Sequence, residues 1–247
     1  IHPPELYEGM YEFLNRDLSK YDAVKGQVTG PISEGLQILD KNSRPVIYDE
    51  SYSEIVRKTV NMMAKWQARR LSMSNNNVII FFDEPSLSIL GTPFASISDD
   101  QARAWINESM DGVDAFRGIH CCGNTNWAMI LSTDIDILSF DAYNYGDNLL
   151  MYPDELTDFL SKGKCIAWGI IPNSDDSVSK ETVDTIVARL ESLFDKMEEK
   201  GINRKKVAHQ SMITPQCGLS GLTEENAKKV FDLLDGVSKE MKRRYGF

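Results

Sequence analysis

The sequence predicts an α/β fold with parallel strands, and two observations support this prediction. Six short apolar runs, each bounded by Gly, Pro, Asn or Asp, have the nearly continuous hydrophobic character of strands that are buried on both faces. Amphipathic stretches alternate with these runs, a pattern that implies parallel pairing through right-handed crossovers. Because no low-complexity linker or short repeat interrupts the chain, we expect one domain over residues 1–247.

The elements follow from the apolar periodicity in chain order. The predicted strands are Ala23–Thr29, Val78–Asp83, Phe116–His120, Ile137–Asp141, Cys165–Ile170 and Val207–Thr214. Three helices have apolar residues at three- and four-residue spacing, namely Glu50–Leu71, Ser179–Lys200 and Thr223–Tyr245. The second of them should stop at Gly201. The third begins with a near-capping box and ends in basic residues that complement the helix dipole.

Polar residues at the carboxyl ends of the strands favour a barrel over an open sheet. Asp83 and Glu84 end one strand, His120 the next and Asp141 the next, while Cys217 follows the last. Catalytic residues collect at this end of a (β/α)8 (TIM) barrel. The sequence also lacks a Gly-x-Gly-x-x-Gly dinucleotide loop and a phosphate-binding loop. We therefore expect a (β/α)8 barrel.

Charge and composition exclude several classes of partner. The net charge of −10 argues against nucleic acids and membrane surfaces, because both are polyanionic. No apolar run reaches the 18 or so residues that a membrane span requires. The 4 cysteines are too few and too unevenly placed for a disulfide scaffold, so a reduced, cytoplasmic protein is the simplest interpretation.

The strongest candidate site is a metal centre formed by His120, Cys122 and Cys217. Residues two apart on a strand share a face, so His120 and Cys122 can reach one ion, and Cys217 would add a second thiolate from a distant strand. Three N and S ligands with an open fourth position are typical of catalytic zinc. Buried cysteines are also common without a metal, and we expect Cys121 and Cys165 to be core residues of that kind.

Three acids are further candidates. Asp83 and Glu84 are costly to bury unless they bind a cation, a metal or a substrate amine, although a helix cap or a salt bridge would also explain them. Asp141 is a candidate fourth zinc ligand, a partner that orients His120, or a loop cap.

At these motifs the chain resembles the uroporphyrinogen decarboxylase and methionine synthase superfamily, and most of all the catalytic half of cobalamin-independent methionine synthase. The resemblance lies in Lys25–Pro31, Phe82–Pro85, His120–Cys122, Asp136–Asp141 and Thr214–Leu219. It implies a (β/α)8 barrel with zinc on His120, Cys122 and Cys217. It places Asp141 near a family glutamate ligand, and Asp83 where the family holds the substrate's amino group.

The resemblance also implies differences from the family. The family's first two strands have no counterpart, so the chain would contain strands three to eight of a barrel that is incomplete at its N-terminus. The family's histidine after the seventh strand, which protonates the departing folate amine, falls in Gly169–Asn173, where an apolar residue stands. A methyl-corrinoid donor needs no such proton. We therefore expect a short methionine synthase that takes its methyl group from a corrinoid protein.

The expected reaction is methyl transfer to a zinc-activated thiol, most simply homocysteine, with a methyl-corrinoid or a methyl-folate as the donor. Asp83 would favour an amino-acid thiol. Three alternatives remain open: a corrinoid-dependent methyltransferase acting on another thiol such as coenzyme M, a uroporphyrinogen decarboxylase-like enzyme, and a non-enzymatic metal- or corrinoid-binding module.

Overall fold

The computed structural model describes residues 7–247, and the strands within them form one six-stranded sheet in the order β1-β2-β3-β4-β5-β6. The ladders β1–β2, β4–β5 and β5–β6 are parallel. The strands are β1 (Val24–Thr29), β2 (Val78–Asp83), β3 (Phe116–Cys121), β4 (Ile137–Phe140), β5 (Cys165–Ile171) and β6 (Ser211–Pro215). The predicted α/β class is confirmed. Neighbouring strands of the sheet are also consecutive in the chain, as they are in a (β/α)8 barrel. The sheet therefore agrees with part of such a barrel, whereas a complete barrel stays a prediction.

Eleven α-helices accompany the strands within the described residues. They are α1 (Glu8–Leu14), α2 (Pro31–Gln37), α3 (Glu50–Leu71), α4 (Asp99–Met110), α5 (Trp127–Leu131), α6 (Ala142–Leu149), α7 (Pro153–Ser161), α8 (Asp175–Lys180), α9 (Val183–Glu199), α10 (Arg204–His209) and α11 (Glu224–Tyr245). Short 3₁₀ turns lie at Val46–Tyr48 and Pro85–Ile89. Among residues 7–247, none of these helices is long and apolar enough to cross a membrane.

One compact unit comprises residues 7–84 and 104–119. Its ladder pairs Val24 with Val78 and Thr29 with Asp83, and α3 packs on both strands. Helix α3 has the predicted bounds, and Asp49 caps its first turn by accepting a hydrogen bond from the Tyr52 N–H group.

The outer side of β1 is closed by a side chain. The amide of Gln67, on α3, accepts a hydrogen bond from Gln27 N at 2.9 Å and donates one to Gln27 O at 2.8 Å. The peptide groups of alternate residues in a parallel strand face opposite sides. Val24 N donates to Asn77 O on the β2 side, so the Gln27 peptide, three residues later, faces away from β2. A Cβ on Gly26 would collide with the Gln67 amide oxygen, so the glycine allows this approach.

The second unit comprises residues 85–103 and 120–247. Its core contains a row of large aromatic rings on α5, β4, β5 and α9. The ring centroids of Trp127 and Phe140 are 5.3 Å apart, those of Phe140 and Trp168 are 5.7 Å apart, and those of Trp168 and Phe194 are 5.6 Å apart. Close packing of these rings holds the strands β4 and β5 against α5 and α9. The single domain expected from the sequence stays a prediction.

The predicted helix Ser179–Lys200 is wrong at its start. The structure has α8 up to Lys180, extended backbone at Glu181 and Thr182, and then α9. Thr182 is the N-cap of α9. Its hydroxyl accepts a hydrogen bond from the Thr185 N–H group, and the Thr185 hydroxyl accepts one from the Thr182 N–H group. Thr185 takes the place that glutamate or glutamine has in the usual capping box. The start of α9 therefore lacks the sequence pattern by which a capping box is normally recognised.

The predicted strand Val207–Thr214 is also wrong in its first half. Residues 204–209 form helix α10, which Asn203 caps, and the strand begins only at Ser211. The two buried residues Val207 and Ala208 contact the core from a helical turn. Apolar runs this short do not distinguish a helix from a strand.

Candidate metal centre

Two of the predicted ligands lie at the carboxyl end of β3. His120 and Cys122 are two residues apart, and both side chains are partly buried. The Nδ1 atom of His120 lies 3.0 Å from Ser139 Oγ on β4, within hydrogen-bonding distance. This contact orients the ring and points to Nε2, which is buried, as the nitrogen that a metal would take. Cys121 lies on the opposite face and is fully buried, as expected from strand alternation.

The third predicted ligand comes from the loop after β6. Cys217 is exposed, yet one ligand atom from each of His120, Cys122 and Cys217 lies within 4.8 Å of the others. Zinc bonds of about 2.0–2.3 Å place tetrahedral ligand atoms roughly 3.5–3.8 Å apart. The three atoms therefore need only small movements to share one ion, and the donor set of one nitrogen and two sulfurs fits zinc. The structure brings together the three residues that the sequence predicted.

The thiol of Cys122 is harder to ionise than a free thiol. Burial raises the pKa of the Cys122 thiol, and the neighbouring Cys217 and then Asp141 raise this pKa further. A cation bound beside Cys122 would offset the unfavourable charge of its thiolate. This electrostatic environment also fits a bound metal ion.

Asp141 lies near this centre, but its carboxylate already accepts several hydrogen bonds. It is 5% exposed and caps α6, where Oδ1 accepts a hydrogen bond from Asn144 N at 2.9 Å. Its Oδ2 atom accepts from Asn144 Nδ2 at 2.8 Å and from Gln216 Nε2 at 3.0 Å. The structure thus shows Asp141 as a helix cap in contact with the loop that contains Cys217. Direct coordination of zinc by Asp141 stays a prediction.

Glu84, in the other unit, caps a helix that has no cap of its own. Its side chain is fully buried, and it accepts hydrogen bonds from Ile32 N at 2.9 Å, Ser33 N at 2.8 Å and Ser33 Oγ at 2.6 Å. The N-cap residue of α2 is Gly30, where any Cβ would collide with the Glu84 carboxylate. Burial raises the pKa of Glu84 to about 7, because desolvation outweighs these hydrogen bonds. A substrate contact for Glu84 stays a prediction.

Asp83 ends β2 and is only partly buried. Burial raises the pKa of Asp83, and the positive charge of Lys25 opposes this rise. Lys25 Nζ lies over the ring of Phe81, 4.9 Å from its centroid, and donates to Gln27 Oε1 at 2.6 Å. A half-desolvated carboxylate of this kind can attract an ammonium group strongly, because water screens it incompletely. A contact between Asp83 and the substrate amine stays a prediction.

Sequence reasoning missed Ser139 and Gln216. Both are buried polar residues beside motif residues: Ser139 lies two positions before Asp141, and Gln216 comes directly before Cys217. A polar side chain within an apolar strand indicates a buried hydrogen-bond partner, and this pattern could have identified Ser139. Within residues 7–247, Cys165 begins β5, and His209 ends α10 with its ring 4.1 Å from that of Phe247.

Comparison with known proteins finds similarity in structure only. No protein-family model and no curated protein sequence matches the chain. A B12-independent methionine synthase from Shewanella sp. W3-18-1, solved in complex with selenomethionine, has a TM-score of 0.65 at 14% identity, over 97% of this chain and 67% of that one. A protein assigned as a vitamin-B12-independent methionine synthase from Listeria monocytogenes has a TM-score of 0.60 at 15% identity, over 97% of this chain and 70% of that one. The resemblance that the motifs indicate is confirmed in the fold, which this chain shares with B12-independent methionine synthase structures.

Proposed function

We propose that this chain is a zinc-dependent methyltransferase that transfers a methyl group to a thiol, with homocysteine as the acceptor and methionine as the product. The observation that carries the proposal is the group His120, Cys122 and Cys217, whose ligand atoms lie within 4.8 Å of one another. The similarity of the fold to solved methionine synthases supports the same reaction class.

The chain's own residues would hold the reactants. A bound zinc ion lowers the pKa of a coordinated thiol, so that the substrate sulfur reacts as a thiolate. His120, Cys122 and Cys217 would hold the ion, and Ser139 orients the imidazole ring through Nδ1. Asp83 would attract the ammonium group of the amino acid and disfavour a sulfonate thiol such as coenzyme M. The thiol proton would leave to solvent, and the substrate sulfur would form a bond to the methyl carbon while the methyl–donor bond breaks with its electron pair remaining on the donor.

The donor that we propose is a methyl-corrinoid, presented by a corrinoid protein. The end of β5 supports this choice, since Ile171 is fully buried, Pro172 is buried beside it, and neither can donate a proton. A folate amine leaves poorly unless it is protonated, whereas a corrinoid departs without a proton. A methyl-folate donor is the alternative, and both donors belong in the test.

Zinc analysis and methyl transfer test the proposal together. The purified chain should contain one zinc ion per molecule and form a thioether from methylcobalamin and homocysteine. Replacing Cys217 by Ser should abolish both, because it removes a thiolate ligand. Cys165→Ser, which changes a cysteine at the start of β5, should retain both.

Three results would contradict the proposal. A chain without zinc that decarboxylates uroporphyrinogen would favour the decarboxylase alternative. Zinc binding without thioether formation from either donor, with homocysteine or coenzyme M, would favour a binding module. Thioether formation from coenzyme M alone would overturn the choice of acceptor.

A further inference from the structure

Gln216 connects the loop that contains Cys217 to the ends of two other strands. Its side chain is 7% exposed, and both halves of its amide form hydrogen bonds. Nε2 donates to Asp141 Oδ2 at 3.0 Å, and Oε1 accepts from Asn173 N at 2.8 Å. Its own N–H group donates to Ile171 O at 2.9 Å. Gln216 is therefore fixed against the loops that follow β4 and β5.

The residue on the other side of Cys217 is also tethered. Gly218 O accepts a hydrogen bond from Asn173 Nδ2 at 3.2 Å. Glycine at position 169 brings β5 and the Cys217 loop close together, because a Cβ there would lie 3.0 Å from Gln216 Cα and would collide with Phe140 O. Asn173 thus contacts the residues on both sides of Cys217, one through its backbone and one through its side chain.

Asp141 presents a fixed acceptor to Gln216. Both of its oxygens accept hydrogen bonds from Asn144 in the first turn of α6, so the carboxylate cannot rotate freely. Gln216 Nε2 fills a further acceptor site on Oδ2. The buried contact between Asp141 and Gln216 joins residues 75 apart in the chain, and Gln216 directly precedes the exposed Cys217.

An exposed thiol on a loop needs such support if it is to bind a metal. Ordering the backbone of a residue costs conformational entropy, and binding a metal to a mobile loop would incur this cost. A loop that is already held in place avoids it. Mutation of a group that orients a metal ligand through hydrogen bonds typically lowers metal affinity by about 10–100-fold.

We propose that Gln216 is a positioning residue of the metal centre, which holds Cys217 in place through its hydrogen bonds to Asp141 and Asn173. The proposal rests on the zinc centre of the proposed function. It assigns Asp141 a role in orienting the Cys217 loop rather than in coordinating the ion.

The first test compares zinc affinities. Zinc dissociation constants, measured by competition with a chromophoric chelator at fixed pH, should rise by about 10–100-fold in Gln216→Ala. The absorption spectrum of the Co²⁺-substituted variant should also differ from that of the parent, because the geometry around the sulfur ligands changes. Asn173→Ala removes only the contact to Gly218 O and should weaken zinc binding in the same direction.

Gln210→Ala is the matched control. Gln210 lies just before β6, at the end of the strand away from the metal centre, and its Nε2 donates to Leu160 O at 3.0 Å and Lys164 O at 2.6 Å. This variant also loses side-chain hydrogen bonds, so its stability should fall, but its zinc affinity should equal that of the parent. Circular dichroism shows whether each variant is folded.

A charge exchange tests the contact with Asp141 itself. Gln216→Glu places two carboxylates against each other and should weaken zinc binding. Adding Asp141→Asn places an amide donor at position 141 opposite the carboxylate at position 216, which restores the hydrogen bond in the reverse direction. The double variant should therefore recover much of the parent's zinc affinity. If Asp141 were a zinc ligand, the double variant would bind zinc no more tightly than Gln216→Glu, and this result would overturn the proposal.

The outcomes separate the two proposals. Parent-like zinc affinity in folded Gln216→Ala and Asn173→Ala overturns the positioning role, whether or not the parent transfers methyl groups. Absence of methyl transfer by a zinc-loaded parent overturns the proposed function alone, because the affinity comparison does not depend on turnover. A parent that binds no zinc overturns both.

Discussion

Asp83 and Glu84 are neighbours in the chain, but their carboxylates have different surroundings. Glu84 is fully buried and bonded to the first turn of α2, whereas Asp83 is partly exposed with Lys25 nearby. A carboxylate with exposed surface can meet a ligand, and one that already accepts three hydrogen bonds in the interior has little capacity left. Glu84 thus stabilises a helix end, whereas the proposed contact with a substrate amine is assigned to Asp83.

Replacing Asp83 by Asn should weaken the binding of the amino-acid thiol. A hydrogen bond to a charged group contributes about 1.5–3 kcal/mol, so KM for homocysteine should rise by about 10–100-fold. The affinity for 4-mercaptobutanoate, which lacks the amino group, should change little. Steady-state kinetics with both thiols measures the KM of each in the parent and the variant. An equal rise in KM for the two thiols would show that Asp83 does not contact the amine.

Glu84 should make stability depend on pH. Because burial raises the pKa of Glu84 to about 7, the folded chain binds this proton more tightly than the unfolded chain does. The contribution of protonated Glu84 to the free energy of unfolding is fully present below about pH 4.5 and is lost as the pH rises through 7. The loss amounts to roughly 3 kcal/mol over this range. Urea unfolding between pH 4.5 and 8 measures it.

The variant Glu84→Gln should lack this part of the pH dependence, since its amide does not titrate. Glu225→Gln, which changes an exposed carboxylate in the first turn of α11, should keep the profile of the parent. Identical pH profiles for the parent and Glu84→Gln would refute the assignment.

Among the secondary-structure elements, β1 depends on a side chain from α3 for part of its hydrogen bonding. The amide of Gln67 pairs with both polar groups of the Gln27 peptide, as a neighbouring strand would. Sheet edges that leave peptide groups unpaired invite pairing with other chains, and proteins commonly cover them. In this structure the cover is one glutamine, and Gly26 leaves the space for it.

Gln67→Ala should therefore destabilise the first unit. Removing a buried side chain that satisfies two backbone groups costs about 1–3 kcal/mol for each group left unsatisfied. Chemical denaturation measures the change in the free energy of unfolding. Gln101→Ala, at an exposed position of α4, is the control and should change it little. Equal stability in the two variants would mean that water replaces the Gln67 amide without cost.

In the molecule as a whole, zinc should stabilise the folded chain. All three ligands lie in the second unit, and a metal that binds only the folded state adds about 2.7 kcal/mol at a free concentration one hundred times its dissociation constant. The unfolding temperature of metal-free protein should rise on addition of Zn²⁺. Mg²⁺ should have no such effect, because thiolates do not select it.

Cys217→Ser should lose most of the zinc-dependent rise. Calorimetry of the parent and this variant, with and without zinc, gives the comparison. A rise of the same size in the variant would place the zinc elsewhere.

The sequence alone was enough to predict the α/β class, the bounds of α3 and the grouping of His120, Cys122 and Cys217. The strand period puts His120 and Cys122 on one face, and the nitrogen and sulfur donors of the group are those that zinc prefers. Zinc binding by these residues stays a prediction. The boundary at Thr182 and the helix at residues 204–209 were mispredicted, because short apolar runs and an unusual cap are ambiguous without their neighbours.

Only the tertiary structure decided which polar groups meet. Glu84 bonds Ser33 from 51 residues away, Gln67 bonds Gln27 from 40, and Gln216 bonds Asp141 from 75. A hydrogen bond requires two groups within about 3 Å, and the path of the chain determines such distances. The sequence by itself determined which residues could bind a metal. The fold decided how Cys217 is held beside His120 and Cys122, because that depends on loops from three different strands.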